Sequence, residues 1–148
     1  MISRRRTSAI CLYQDHILAF KATDPASKKF YYFLPGGAIE ENETAAEGVV
    51  RETYEETGYR VKVLNEPTII KNYDFFWNEQ NFLCSTEFFL VELSEKFHEP
   101  TIVKDASYNH GPVWLPTNQI EQDFSYHVDI LDAVKELTTQ RLLSTLAE

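Results

Sequence analysis

Apolar residues in the first third of the chain come in short runs broken by polar pairs. Thr7–Tyr13 and His16–Lys21 read as two strands joined at Gln14-Asp15, a hairpin. Asp24-Pro25-Ala26-Ser27 is a loop, and Phe30–Leu34 is a third strand, dense in aromatics. It runs into Pro35-Gly36-Gly37, where the glycines allow a sharp turn and a close approach to a ligand. The period then changes to that of a helix. Ala46, Val49, Val50, Thr53 and Thr57 fall on one stripe. Thr44 with Glu47 forms a capping box at the start, and Gly58 is placed to end the helix. Glu47 and Arg51 make a favourably oriented i, i+4 pair. Gly48 costs about 1 kcal/mol against alanine inside a helix; close packing on a sheet and clearance for a ligand explain it equally well.

Further on, Tyr59–Leu64, Pro67–Trp77 and Asn81–Leu93 are β-rich, with Asn78-Glu79-Gln80 as a hairpin connection. Ser94–Ser107 is a charged loop with room for a short strand at Thr101–Val103. Gly111–Pro116 is a strand ended by proline, and Asn118–Gln122 a helical turn. His127–Leu146 is an amphipathic helix that should turn Val128, Leu131, Val134, Leu137, Leu142 and Leu146 inward. No internal repeat or low-complexity segment interrupts the pattern. Strands, helix, strands, helix in that order describe one α+β layered domain over residues 1–148.

Composition narrows the function classes. A formal charge of −9 argues against a general nucleic-acid-binding surface. Cys11 and Cys84, the only cysteines, sit in apolar strand-like runs and read as buried reduced thiols. Arg4-Arg5-Arg6 followed by Ser8–Tyr13 looks superficially like a leader, but the apolar run is short and has no small-residue cleavage site. No stretch reaches transmembrane length. A cytoplasmic protein is expected.

The chemistry concentrates near the end of the first helix. Glu52, Glu55 and Glu56 stand at i, i+3 and i+4 and share a face. The macrodipole there is already negative, so each carboxylate costs about 0.3–1 kcal/mol. The like-charged Glu52–Glu56 pair costs about 0.2–0.5 kcal/mol more. A helix shaped only for stability would carry lysine or arginine at these positions. Clustered carboxylates instead offer hard oxygen ligands of the kind that suit Mg²⁺.

Gly37, five residues, Glu43, seven residues and then Arg51-Glu52-Thr53-Tyr54-Glu55-Glu56-Thr57-Gly58-Tyr59 resembles the Nudix box of the Nudix hydrolases. All charged and glycine positions of that signature are present at their spacing. Pro35-Gly36 before it and Trp114-Leu115-Pro116 downstream are also similar to the family. Thr53 and Tyr59 stand where the family prefers bulky aliphatics, and both are packing positions. The resemblance implies an α/β/α sandwich with a mixed sheet. It implies Mg²⁺- or Mn²⁺-dependent cleavage of a phosphoanhydride bond in a nucleoside diphosphate linked to another group. It gives the metal-ligand roles to Glu52, Glu55 and Glu56, with the Gly37 carbonyl as an extra ligand. It gives Glu52 or Glu56 the orienting of the attacking water, and Arg51 the holding of a box glutamate. Glu43 is expected to support the box structure or a further metal more than to act directly. Homodimers occur in the family, and a nucleotide-type small molecule is the expected partner, with neither nucleic acid nor membrane.

Outside the box the residues discriminate less. Asp105, Glu99, His110 and Glu87 are candidates for a general base, each weighed against an ordinary surface charge. Phe75, Phe76, Trp77, Tyr32 and Tyr73 are candidates for stacking a base, weighed against a role in the core. A nucleoside triphosphate, oxidised or non-standard forms included, is the leading substrate. ADP-ribose and dinucleoside polyphosphates come next, and a nucleotide sensor without turnover is the reading from another class.

Overall fold

The computed structural model describes residues 2–96 and 106–147. Strand β1 (Ile2–Tyr13) is the axis of the fold. Along one edge it runs parallel to β7 (Gln80–Leu93), with Ile2 opposite Phe82 and Cys11 opposite Val91. Along its other edge, Arg6–Ser8 pair antiparallel with β4 (Gly36–Ala38), and Leu12-Tyr13 with β2 (His16–Thr23). The sheet extends beyond β2 to β3 (Phe30–Phe33) and β8 (Asn109–Pro116), and beyond β7 to β5 (Val61–Val63) and β6 (Ile69–Trp77). It is mixed, and a register shift between Phe20 and Ala22 bends β2 against β8.

Each face of this sheet is apolar and each carries a helix. Helix α1 (Ala45–Thr57) packs through Val49 on Ala9, Cys11, Phe89 and Val91. On the other face Ile10, Phe88 and Leu90 meet helix α3 (Val128–Leu146), with Ile120 and Phe124 of the short α2 (Ile120–Asp123) and its C-cap beside them. The result is the expected α/β/α sandwich. Cys11 and Cys84 are both buried free thiols, as anticipated. Among the described residues no helix is long and apolar enough to cross a membrane.

The two hairpins form where the polar pairs stand. Gln14 and Asp15 take φ of 48° and 61°, and Asn78 and Glu79 take 50° and 60°. Paired left-handed residues match the right-handed twist of the flanking strands. Glutamate bears this conformation poorly. Glu79→Gly is therefore expected to stabilise the protein by about 0.5–1 kcal/mol in a urea titration, since relief of the Cβ contact, about 1–2 kcal/mol, exceeds the added entropic cost of glycine, about 0.5–1 kcal/mol.

Two expectations need correction. Gly36-Gly37 do not form a sharp turn; they are a three-residue strand with Ala38, paired to β1. The inward face of α3 is Ile130, Ala133, Val134, Leu137 and Thr138. Of the expected residues only Val134 and Leu137 are buried and Leu131 half-buried, while Val128, Leu142 and Leu146 are exposed. The helix is longer than the sheet it covers, so its ends project past the core. The strand expected at Thr101–Val103 lies outside the described residues.

Candidate active site

Helix α1 is fixed at both ends. Thr44 Oγ1 accepts from the Glu47 N–H at 3.0 Å, and Glu47 Oε1 accepts from the Thr44 N–H at 2.9 Å. At the far end Gly58, with φ of 77°, donates its N–H to the Tyr54 carbonyl. Between these caps Thr53 and Thr57 are fully buried, and each hydroxyl donates to the carbonyl four residues back. A threonine at an aliphatic position thus brings no unsatisfied group into the core. Tyr59 packs edge-on to Trp114 and accepts a hydrogen bond from its indole N–H at 3.0 Å. Gly48 proves to be a packing residue, because a Cβ there would stand 3.0 Å from Glu43 Oε1 and 3.3 Å from the Thr7 methyl.

The carboxylates of α1 point in different directions. Glu56 is 6% exposed, and its Oε1 accepts the Gly36 N–H at 2.7 Å. Glu52, with its side chain 15% exposed, lies against Gly37. A Cβ on Gly37 would come 2.7 Å from the Glu52 carboxylate, and one on Gly36 would collide with the Thr7 carbonyl. The glycines are thus required by close approach, not by an unusual φ. Glu55, with its side chain 46% exposed, turns outward to Arg51. Two of the three glutamates are brought to the β4 backbone and the third is not. Among the described residues no three His, Cys, Asp or Glu side chains are gathered closely enough to hold a metal ion.

Arg51 organises this group. Its Nε and Nη2 donate to the two oxygens of Glu43 at 2.7 and 3.0 Å, a bidentate pair. Its Nη1 donates to Glu52 and Glu55, both at 3.0 Å, and its Nη2 also reaches the Ala38 carbonyl at 3.3 Å. The expected Glu47–Arg51 pair does not form, because Glu47 is used in its own helix cap and Arg51 turns toward β4. The Arg51 hydrogen bonds hold the Glu43 carboxyl below the usual range, and Glu43 in turn raises the pKa of Arg51. Burial pushes Glu52 up, and pushes Glu56 well up against the Gly36 N–H and the Arg6 charge that favour its ionised form. Two carboxyls therefore sit side by side against the β4 backbone, where burial outweighs the nearby arginine charges. The donor set is hard oxygen, and it fits a divalent cation.

Glu52, Glu56, Gly36 and Gly37 form one wall of a cavity of about 690 Å³. Arg4, Arg6 and Ser8 of β1 line it, as do Tyr73, Phe75 and Trp77 of β6. Phe33, Tyr108 and Tyr126 add further aromatic surface, with Phe33 and Trp77 centroids 5.0 Å apart. Of the aromatics expected to stack a base, Tyr73, Phe75 and Trp77 thus reach the cavity. Phe76 does not, because it lies on the opposite, exposed face of β6, and Tyr32 packs against the core. The two-residue period of β6 carried the signal that separates Phe75 from Phe76. Phe33, Phe82, Tyr108 and Tyr126 were missed, since they come from separate segments of the chain.

Two of the four candidate bases, His110 and Glu87, lie apart from these walls. His110 Nε2 is 2.7 Å from Thr23 Oγ1, and Glu87 accepts from Thr68 on the other sheet face; neither lines the cavity. Glu99 and Asp105 lie outside the described residues. The mouth has a brace that the sequence did not suggest. Buried Asp24 accepts backbone N–H groups from Ala26 at 2.8 Å and Asn78 at 3.2 Å, tying the loop at Pro25 to the β6–β7 hairpin.

The NUDIX domain family model matches residues 3–134. No curated protein matches the sequence at a significant level. Among solved structures, a Caenorhabditis elegans Ap4A hydrolase in a binary complex aligns with a TM-score of 0.72 at 12% identity, covering 94% of this chain and 98% of that one. A NUDIX hydrolase from Nitrosomonas europaea aligns at 0.64 and 18% identity, covering 90% and 86%. A MutT protein from Methanosarcina mazei aligns at 0.60 and 17%, covering 95% and 96%. These likenesses extend the shared fold beyond the box to the whole sandwich. With the glutamates, glycines and arginine of the signature set as described, the chain belongs to the Nudix family of hydrolases.

Proposed function

We propose that residues 1–148 act as one domain that hydrolyses a phosphoanhydride bond in a nucleotide, most of all a nucleoside triphosphate, with Mg²⁺ or Mn²⁺. One observation carries this: the half-buried Glu52 and buried Glu56 carboxylates lie against the Gly36-Gly37 backbone, at the wall of an aromatic-lined cavity. Glu52, Glu56 and the Gly37 carbonyl would hold the cation from the inside, and Glu55 from the solvent side after release from Arg51. Such a cation neutralises charge on the pyrophosphate and makes water a stronger nucleophile. The chain supplies the rest. The Gly36 N–H fixes the Glu56 carboxylate, Arg51 fixes Glu52, and either carboxylate can orient water. Tyr73, Phe75, Trp77 and Phe33 offer faces on which any nucleobase stacks.

The C. elegans neighbour is an Ap4A hydrolase, and another neighbour is an ADP compounds hydrolase, so dinucleoside polyphosphates and ADP-ribose belong in the test. Nucleoside triphosphates, ADP-ribose, dinucleoside polyphosphates, nucleotide sugars and NADH are assayed with Mg²⁺ and with Mn²⁺. Turnover of at least one, abolished by chelator, is expected. An inactive panel with retained nucleotide binding would establish a sensor instead.

The carboxylates also set a pH dependence. Glu52 and Glu56 bind protons more tightly folded than unfolded, so their stabilising contribution is present at low pH. It is lost as pH rises through their raised folded values. Divalent cation competes with those protons. Without metal, Tm should fall as pH rises from weakly acid to neutral. Mg²⁺ should raise Tm at neutral pH and much less in acid, as read by calorimetry.

A further inference from the structure

The cavity is lined by a cation whose side chain has no hydrogen-bond partner among the described residues. Arg6 side-chain nitrogen Nε is buried without a hydrogen bond, and among the described residues no hydrogen bond or close ion pair reaches its side chain, which Glu52 and Glu56 attract only from farther off. Arg51, on the other side of β4, makes five hydrogen bonds to side chains and backbone. The contrast matters in a chain with 23 acidic and 14 basic residues, where a guanidinium has many acids to choose from. Arg4 lies two residues back, with its guanidinium 4.7 Å over the Phe82 ring. Alternation along β1 puts both on the cavity face, and both line the cavity. Cross-strand register fixes where they stand. Gly36 is opposite Ser8, Gly37 opposite Thr7 and Ala38 opposite Arg6, so Arg6 follows directly after the glutamate-lined wall. Arg4 stands about 7 Å farther along the strand.

We propose that Arg6, with Arg4 beside it, forms an anion seat for a substrate phosphate beyond the two bracketed by Glu52 and Glu56, selecting substrates with three or more consecutive phosphates over those with two. The proposal rests on the hydrolase reading above and gives it a substrate class. Guanidinium is the side chain suited to phosphate, because its planar fork meets two oxygens at once. A buried Nε left unmatched is costly, and a phosphate oxygen in the cavity would match it. The wall glutamates have the same sign as the substrate, so an extended polyphosphate needs cationic positions beyond the metal to lie in this cavity. A neutral sugar at that place would leave Arg6 as it is now. The rival role, in which Arg6 only offsets the charge of Glu52 and Glu56, makes a different prediction: its loss would weaken all substrates alike.

The test compares the two classes in Arg6→Met, with Arg6→Lys as a second variant that retains charge without the fork. For a nucleoside triphosphate, kcat/KM should fall about 30- to 100-fold in Arg6→Met and less in Arg6→Lys, while ADP-ribose, with two phosphates, changes less than threefold. Calorimetry with inorganic tripolyphosphate and with pyrophosphate, each with Mg²⁺, reads the seat without turnover. Tripolyphosphate binding should weaken at least 30-fold in Arg6→Met, and pyrophosphate binding less than threefold. Parallel losses on both classes, or none on either, overturn the seat. So does a wild type that prefers pyrophosphate over tripolyphosphate. If wild type turns over nothing in the panel, the hydrolase reading fails while the tripolyphosphate comparison still decides the seat.

Discussion

Glu56→Gln is expected to cut kcat by on the order of 10³-fold, about 4 kcal/mol of lost transition-state stabilisation, and to make the metal-free protein more stable. The second half separates this residue from an ordinary core side chain. Glutamine keeps the size of glutamate, and its carbonyl can still accept the Gly36 N–H that Glu56 accepts at 2.7 Å. What disappears is a buried carboxyl whose ionised form is disfavoured by burial and by the neighbouring Glu52. Tm of the variant should rise by a few degrees without metal, and the Mg²⁺-dependent rise should vanish. Differential scanning calorimetry beside single-turnover kinetics reads both. A fully active variant, or one that still gains stability from Mg²⁺, would take Glu56 out of the cation site.

Arg51→Ala should harm fold and reaction together. The change strands the Glu43 carboxylate, whose side chain is only 13% exposed, and frees Glu52 from its single hydrogen bond to the arginine. Breaking a fully buried pair costs about 3–5 kcal/mol; with Arg51 partly open to solvent, about 2–3 kcal/mol is expected. For a domain of this size that lowers Tm by roughly 5–12 °C. Activity should drop about 100-fold even well below the new Tm, because Glu52 then wanders from the Gly37 backbone. Arg51→Lys should recover part of the stability and little of the activity, since a point charge cannot span both oxygens of Glu43. Denaturant melts and kcat/KM at low temperature distinguish the two effects.

Local chemistry was the legible part of the sequence. The Thr44–Glu47 box, the left-handed Gly58 and the two polar hairpin pairs each follow from interactions within four residues, and each forms as read. The face shared by Glu52, Glu55 and Glu56 was also local, but where that face points was not. Its division into one buried, one half-buried and one exposed carboxylate depends on β4, reached through the Arg51 network. Two glycines and an alanine look like a turn until β1 pairs with them. The inward face of α3 differs from its apolar period because the sheet lies under only part of the helix. Ile130 and Ala133 lie over the sheet, while Leu142 and Leu146 extend beyond it. The cavity was least legible: its aromatic wall draws on β3, β6, the residue before β8 and the approach to α3, and no short-range pattern links them.

The parallel pairing of β1 with β7 gives the chain a folding order. Ile2 meets Phe82 and Cys11 meets Val91, so the first strand can complete its ladder only after some eighty further residues exist. Loop closure of that length is slow, and such non-local pairing is late in most landscapes. At about 5–20 residues per second, a ribosome leaves β1 without its partner for several seconds. Helix α1, nucleated by its own caps, can form meanwhile, but its inner carboxylates have no finished wall to close. During synthesis the protein should therefore acquire the signature helix early and the cavity late, with β1 the segment most in need of protection in between.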